Sequence, residues 1–176
     1  ETATAMTSDA AGNTYVAGTF SGFLSFPATP PAVNLSIPAV GGIDNFLVKY
    51  DPSGNLAWVA TFGSVNNDSI SSVAVDAAGN VYASGKFTGT TDFNPGAGVF
   101  NISLLPNTES TFVLKLDSAR NFVWAKSFGD GGQVLNPKLA VDGSNNVYVV
   151  GSFSGTANFD TRAATVTLLS SAGNTD

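Results

Sequence analysis

The chain repeats itself every 66 or 67 residues, and that period constrains most of what it can become. DAAGNTYVAGTFSG starts at Asp9, DAAGNVYASGKFTG at Asp76 and DGSNNVYVVGSFSG at Asp142. A second motif lies between them: FLVKYDPSGNLAWVATFG from Phe46 and FVLKLDSARNFVWAKSFG from Phe112, again 66 residues apart. Tyr15, Tyr82 and Tyr148 correspond, as do Phe20, Phe87 and Phe153, and Trp58 and Trp124. Counted from the first turn, residues 9–75 make one unit, 76–141 a second and 142–176 part of a third. Residues 1–8 (ETATAMTS) match the stretch before the second unit and read as a strand of a preceding unit. The whole of 1–176 is therefore one repeat array that begins and ends inside a repeat. A fixed period of tens of residues marks solenoids, propellers and arrays, in which each unit buries its apolar face on the next.

Each motif reads as a β-hairpin. Short runs with partial alternation flank a D-x-x-G-N turn. The Asp accepts bonds from backbone N–H groups two residues on, and the Gly three residues later takes a positive φ that suits strand twist. The turn recurs from Asp9, Asp51, Asp76, Asp117 and Asp142. Gly12, Gly54 and Gly79 fill the fourth position, while Arg120 and Asn145 replace glycine in the other two. Asn tolerates the left-handed region and Arg does so at a cost, so the Asp117 turn is expected to be the least regular. A less ordered segment joins the hairpins, TGTTDFNPGAGVFNISLLPNTES in the second unit. Phe93 anchors it, as Phe26 and Phe159 do elsewhere, and it is expected to form an extra strand or hairpin.

No window shows sustained helical periodicity, so the expected class is all-β. Four antiparallel strands per unit is the pattern of a β-propeller blade. About two and two-thirds units are present, whereas closed propellers use roughly four to eight blades. Three arrangements follow: part of a larger propeller, copies completing one another through strand edges, or an open stack. Unpaired edges are templates for a partner strand, and Glu1–Ser8 is the segment expected to pair outside its own unit.

Composition removes several functions. Charged residues are 11% of the chain, against roughly 25% in an average globular protein. Net charge is −6 with seven basic residues, which leaves no phosphate-neutralising surface and argues against nucleic acid. Histidine and cysteine are both absent, which excludes Ser-His-Asp triads, Cys-His pairs, thiolate metal sites and disulfides. No apolar run is long enough for a spanning helix, so membrane insertion is not expected. The first residues lack a basic stretch followed by an apolar one, so a signal peptide is not expected.

The ordered pair D-A-A-G-N-V-Y-x-x-G-x-F-x-G-T-x-D-F and F-x-V-K-x-D-x-x-G-N-x-x-W-x-x-x-F-G resembles the SBBP β-propeller repeat of bacterial secreted and surface proteins. The resemblance covers nearly the whole chain. It implies an extracellular propeller-type repeat, but no single activity or ligand, and it supplies no site residues. The D-x-x-G-N-x-x-W spacing is also similar in part to the tryptophan-docking repeat of quinoprotein propellers. There a Thr precedes the Gly, where this chain has Ser53 and Ala119, and no cofactor-binding set accompanies the match.

Candidate chemistry is sparse. Phe20, Trp58, Phe62, Phe87, Trp124, Phe128 and Phe153 are expected to pack blade on blade. Asp92 and Asn94 flank Phe93, and Asn158 and Asp160 flank Phe159; such oxygen pairs are Ca²⁺ candidates, the alternative being that they bond turn backbone. The first unit has Ser25-Phe26-Pro27 there, and the D-x-[DN]-x-[DN]-G loop is missing. No other cofactor is expected. A glycosidase needs two carboxylates at a set separation. Most Asp residues belong to repeated turns, and the non-repeated acids Glu1, Asp44, Asp68, Glu109, Asp130 and Asp176 sit in no recognised motif. Neither G-x-S-x-G nor S-x-x-K occurs. Asn34, Asn67 and Asn101 begin N-x-S sequons, which strand or turn preference also explains. Tyr50 is the candidate sugar-stacking aromatic, the alternative being a half-buried strand residue. The expected function is a non-enzymatic extracellular or cell-surface module with a structural, adhesive or self-assembly role. Its partners would be protein or further copies of itself. A carbohydrate-binding propeller and a scaffold fragment of a propeller enzyme are the alternatives.

Overall fold

The computed structural model describes residues 1–26, 35–106, 108–159 and 168–170. Among them are fifteen strands and no helix. The first sheet has the order β1 (Thr2–Ser8), β2 (Thr14–Phe20), β5 (Asp44–Tyr50) and β6 (Leu56–Phe62), antiparallel throughout. The second repeats it with β7 (Ser69–Val75), β8 (Val81–Thr88), β11 (Glu109–Leu116) and β12 (Phe122–Phe128). The third holds β13 (Asp130–Val141), β14 (Val147–Asn158) and the short β15 (Leu168–Ser170). The connecting segments form small hairpins of their own, β3 (Phe23–Phe26) with β4 (Leu35–Pro38) and β9 (Thr90–Asp92) with β10 (Asn101–Ser103).

The counting frame that starts at Asp9 sets residues 1–8 apart, but the sheet does not. Thr2–Ser8 pairs with β2 in its own sheet, from Ser8 opposite Thr14 to Thr2 opposite Thr19. The reason is local: the tight turn at Asp9 folds β1 directly back on β2, so the physical blade begins one strand before the motif.

The turns are built alike. At Asp76 the main-chain N–H of Gly79 donates to the Asp76 carbonyl, and the carboxylate accepts from the N–H groups of Ala78 and Asn80 and from the Asn80 side-chain amide. Asp9, Asp51, Asp117 and Asp142 repeat the set. The Asp117 turn is not the least regular. Arg120 takes φ 75° within the range of Gly12, Gly54 and Gly79, and every clamp bond is present. The Asp–Asn clamp fixes the path whatever residue occupies the fourth position. The Arg120 guanidinium, in addition, donates to the Val59 carbonyl of the first sheet at 2.5 Å.

Strand alternation gives each sheet two apolar faces. One face of the first sheet (Tyr15, Ala17, Leu47, Ala60, Phe62) packs on the second sheet (Ile70, Val73, Ala83, Phe87, Phe112, Leu114, Leu116) to form the main core. Phe62 meets Phe112 edge to face at 5.5 Å, and Phe93 from the connecting segment packs against Phe62, Phe87 and Phe112. Each such ring contributes about 1.5–3 kcal/mol by burial, with roughly 0.5–1.5 more for good ring geometry. The other face of the first sheet (Phe20, Phe46, Val48, Val59) makes a second, smaller core with Leu24 of β3.

The innermost strands are tied to one another. The Thr4 hydroxyl donates to the Ile70 carbonyl at 2.9 Å, and the Ser71 hydroxyl to the Pro137 carbonyl at 2.6 Å. Both bonds span 66 residues, so one sheet-to-sheet step is made twice.

Candidate functional site

The residues that recur in the sequence meet on the stacking face. Tyr15 on β2, Lys49 on β5 and Trp58 on β6 stand opposite one another in a single cross-strand row. Tyr82, Lys115 and Trp124 form the same row in the second sheet. The Tyr and Trp rings lie 6.1 and 6.3 Å apart, and the lysine ammonium sits over the Tyr ring at 5.3 and 4.8 Å. A cation over an aromatic face contributes about 0.5–1 kcal/mol, more when desolvated.

The row is anchored to the turn. The phenol of Tyr15 donates to Asp9 Oδ2 at 2.9 Å, Tyr82 to Asp76 Oδ2 at 3.1 Å and Tyr148 to Asp142 Oδ2 at 3.1 Å. This explains why Tyr follows the Asp by six residues in all three units. Burial and the Asp9 bond push the Tyr15 phenol well above its usual range. Burial alone would raise the Asp76 carboxyl, but the bonds from Asn80 and Tyr82 prevail and hold it below the ordinary 3.8. Sequence reasoning placed the Asp in its turn and the Trp in packing, and it missed both the Tyr–Asp bond and the lysine. The signal was there, since Lys49 and Lys115 repeat inside F-x-V-K and F-V-L-K.

The remaining packing candidates fall at different depths. Phe20, Phe62 and Phe87 are buried, whereas Trp58, Trp124, Phe128 and Phe153 are half-buried. Phe153 and Phe128 close on Phe159 at 5.2 and 6.5 Å. Tyr50 is half-buried beside the second core group.

Around Phe93, Asp92 Oδ1 accepts the N–H groups of Asn94 and Phe100, and Asn94 Oδ1 accepts that of Gly96. These oxygens brace the turn that carries Phe93. Asn158 ends β14, and Asp160 lies outside the described residues. Among the described residues, no three or more His, Cys, Asp or Glu side chains gather where a metal could be held. Asn67 is exposed and its side-chain oxygen accepts the Ile43 N–H, Asn101 is exposed on β10, and Asn34 lies outside the described residues.

Two non-repeated acids are brought together. Asp44 and Asp68 are both buried at the crossing from the first sheet to the second. Asp68 Oδ2 accepts the Ser64 N–H at 2.6 Å, its Oδ1 accepts the Thr88 N–H at 3.2 Å, and its own N–H donates to the Ile43 carbonyl at 2.7 Å. One carboxylate thus joins the loop before β5, the crossing loop and the end of β8. Asp44 Oδ2 accepts the Val40 N–H, while its Oδ1 lies against Gly63, where a Cβ would collide with it. Burial raises both carboxyls. Asp68 is pushed up to about 6, and the nearby Asp44 charge adds to the effect. Of the other non-repeated acids, Glu109 pairs with Lys86 at 2.7 Å and Glu1 is exposed, while the Asp130 side chain and Asp176 lie outside what the structure describes.

No family model matches the chain. It is 30% identical over 124 residues to an uncharacterized WD repeat-containing protein of Acanthamoeba polyphaga mimivirus. The alignment takes in 69% of this chain and 9% of that protein, so the chain spans a small fraction of its relative. A WD-repeat relative and two successive four-stranded antiparallel sheets, stacked face to face, point the same way. The chain is an array of β-propeller-type repeats. Each blade carries its own Asp-clamped turns, and where the four-strand sheet is complete a Tyr–Lys–Trp row stiffens the face turned towards the next blade.

Proposed function

We propose that this array is a non-enzymatic module of the SBBP type, with a structural or adhesive role outside the cell. The observation that carries the reading is where the repeated side chains are used. The Asp, Tyr, Lys and Trp that recur from blade to blade bond or pack with one another, which holds turn to strand and strand to strand. What remains outward is a low-charge surface of Ser, Thr and Asn, suited to contact with protein or glycan rather than to acid–base chemistry. The SBBP resemblance and the low charge content favour an extracellular setting.

The test is a turnover screen of the purified chain on glycosidic, ester and peptide substrates, run beside a glycan array. The expected outcome is no turnover. Hydrolysis that disappears in Asp44→Asn or Asp68→Asn would overturn the reading in favour of a propeller enzyme. Saturable binding to one glycan class would assign the module to carbohydrate.

A further inference from the structure

The blade-to-blade joint has two halves, and the chain carries one unused copy of each. Within the molecule, β7 lies across the Tyr15–Ala17 face of the first sheet. There Ile70 is buried and Val73 is 7% exposed. β1 is the counterpart of β7, since Met6 stands opposite Val16 as Val73 stands opposite Ala83. Yet Ala3 is exposed and Met6 is 71% exposed. The receiving face shows the same contrast. Tyr82 and Ser84 are buried beneath the third sheet, whereas their counterparts Tyr148 and Val150 are 55% and 67% exposed.

We propose that β1 of one copy of this chain seats across the Tyr148–Val150 face of another, which joins copies head to tail in the geometry of the internal joint. The inference rests on the proposed module function and names a partner for it. The internal joint specifies the occupant. A face that buries Ile70 and Val73 on Tyr15 and Ala17 is matched by one that would bury Ala3 and Met6 on Tyr148 and Val150. The contact is heterologous, because the two patches differ, so it propagates from copy to copy unless a ring closes. It is also weaker than the internal joint. Thr4 and Ser71 each donate a hydroxyl to the next sheet, but Pro137, 66 residues after Ser71, has none to give. Arg120 reaches back to the Val59 carbonyl, but its counterpart in the first sheet is Gly54. Association therefore depends on apolar contact and on concentration.

Sedimentation velocity and light scattering of the chain across a concentration series give the test. The expected result is a mass that rises above one chain with concentration. Met6→Lys and Val150→Glu alter exposed side chains, so both should fold, as circular dichroism would verify, and each alone should remain a single chain. Mixed in equal amounts they should form a species of two chains and no larger, because each variant retains the half that the other has lost. A wild-type chain that stays single at every concentration would overturn the proposal. So would variants that associate as the wild type does, or a mixture that stays single. Those results would leave the non-enzymatic module standing, since only turnover removes it.

Discussion

Arg120 sits in the left-handed region at φ 75°, where a non-glycine residue costs about 1–3 kcal/mol. Its guanidinium bond to the Val59 carbonyl returns an amount of the same order. The two side-chain effects can be separated at this one position. Arg120→Ala retains the backbone cost and loses the bond, so it is expected to destabilise by roughly 1–2 kcal/mol. Arg120→Gly loses both and is expected to fall within about 1 kcal/mol of the parent. Urea denaturation of the pair decides, and equal losses in Ala and Gly would show that the turn bears no strain. The Asp clamp is a stronger dependence where it is buried. Asp76→Ala strands the N–H groups of Ala78 and Asn80, the Asn80 amide and the Tyr82 phenol, and is expected to cost about 2–3 kcal/mol. The same change at the exposed Asp51 turn should cost clearly less.

Paired strands in this fold meet most closely at glycine. A Cβ on Gly85 would lie 2.0 Å from the Ser69 carbonyl oxygen and 2.9 Å from the Phe112 ring, and Gly18 is equally close to Thr2 and Phe46. The close approach coincides with the irregular register between Ile70 and Ser72, and with its counterpart between Ala3 and Ala5. Gly85→Ala would have to part β7 from β8 and is expected to cost at least ~2 kcal/mol in thermal or urea unfolding. Little change would mean that the bulge absorbs the methyl group. At this scale the strands and turns were legible because period-2 alternation and D-x-x-G-N are local signals. The contact glycines were visible only as repeated letters. Their reason is a carbonyl from the neighbouring strand, placed there by register and not by any adjacent residue.

Across the whole molecule, opposing carboxyl shifts set the response to pH. The turn aspartates have folded values below 3.8. For Asp51, Asp117 and Asp142 the leading cause is the amide bond from the Asn four residues on; for Asp9 and Asp76 such bonds prevail over burial. Their stabilisation is present above 3.8 and lost as pH falls through the lower folded values. Asp68 is shifted the other way, to about 6, by burial. Its ionised form weakens the fold above that pH, and the penalty is relieved as pH falls from about 6 towards 3.8. Stability is expected to peak between about pH 4 and 6. Urea midpoints against pH measure it, and Asp68→Asn should flatten the limb between pH 5 and 7. A limb that survives in Asp68→Asn would assign the effect to another group.

By itself the sequence determined the period, the hairpins, the clamped turns, the all-β class and the aromatic stock of the core. All of these depend on spacing along the chain, since a repeated motif folds into a repeated local structure. Tertiary structure alone decided which strand opens each blade, because pairing across the Asp9 turn outranks any frame chosen for counting. It alone brought Tyr, Lys and Trp into one row from three strands, and it buried Asp44 with Asp68 where two loops cross. It also separated Tyr82 from Tyr148, which share a motif and a hydrogen bond and differ only in having a sheet beyond them. Burial is a property of neighbours in space, and the letters at a position are the same whether or not a neighbour is there.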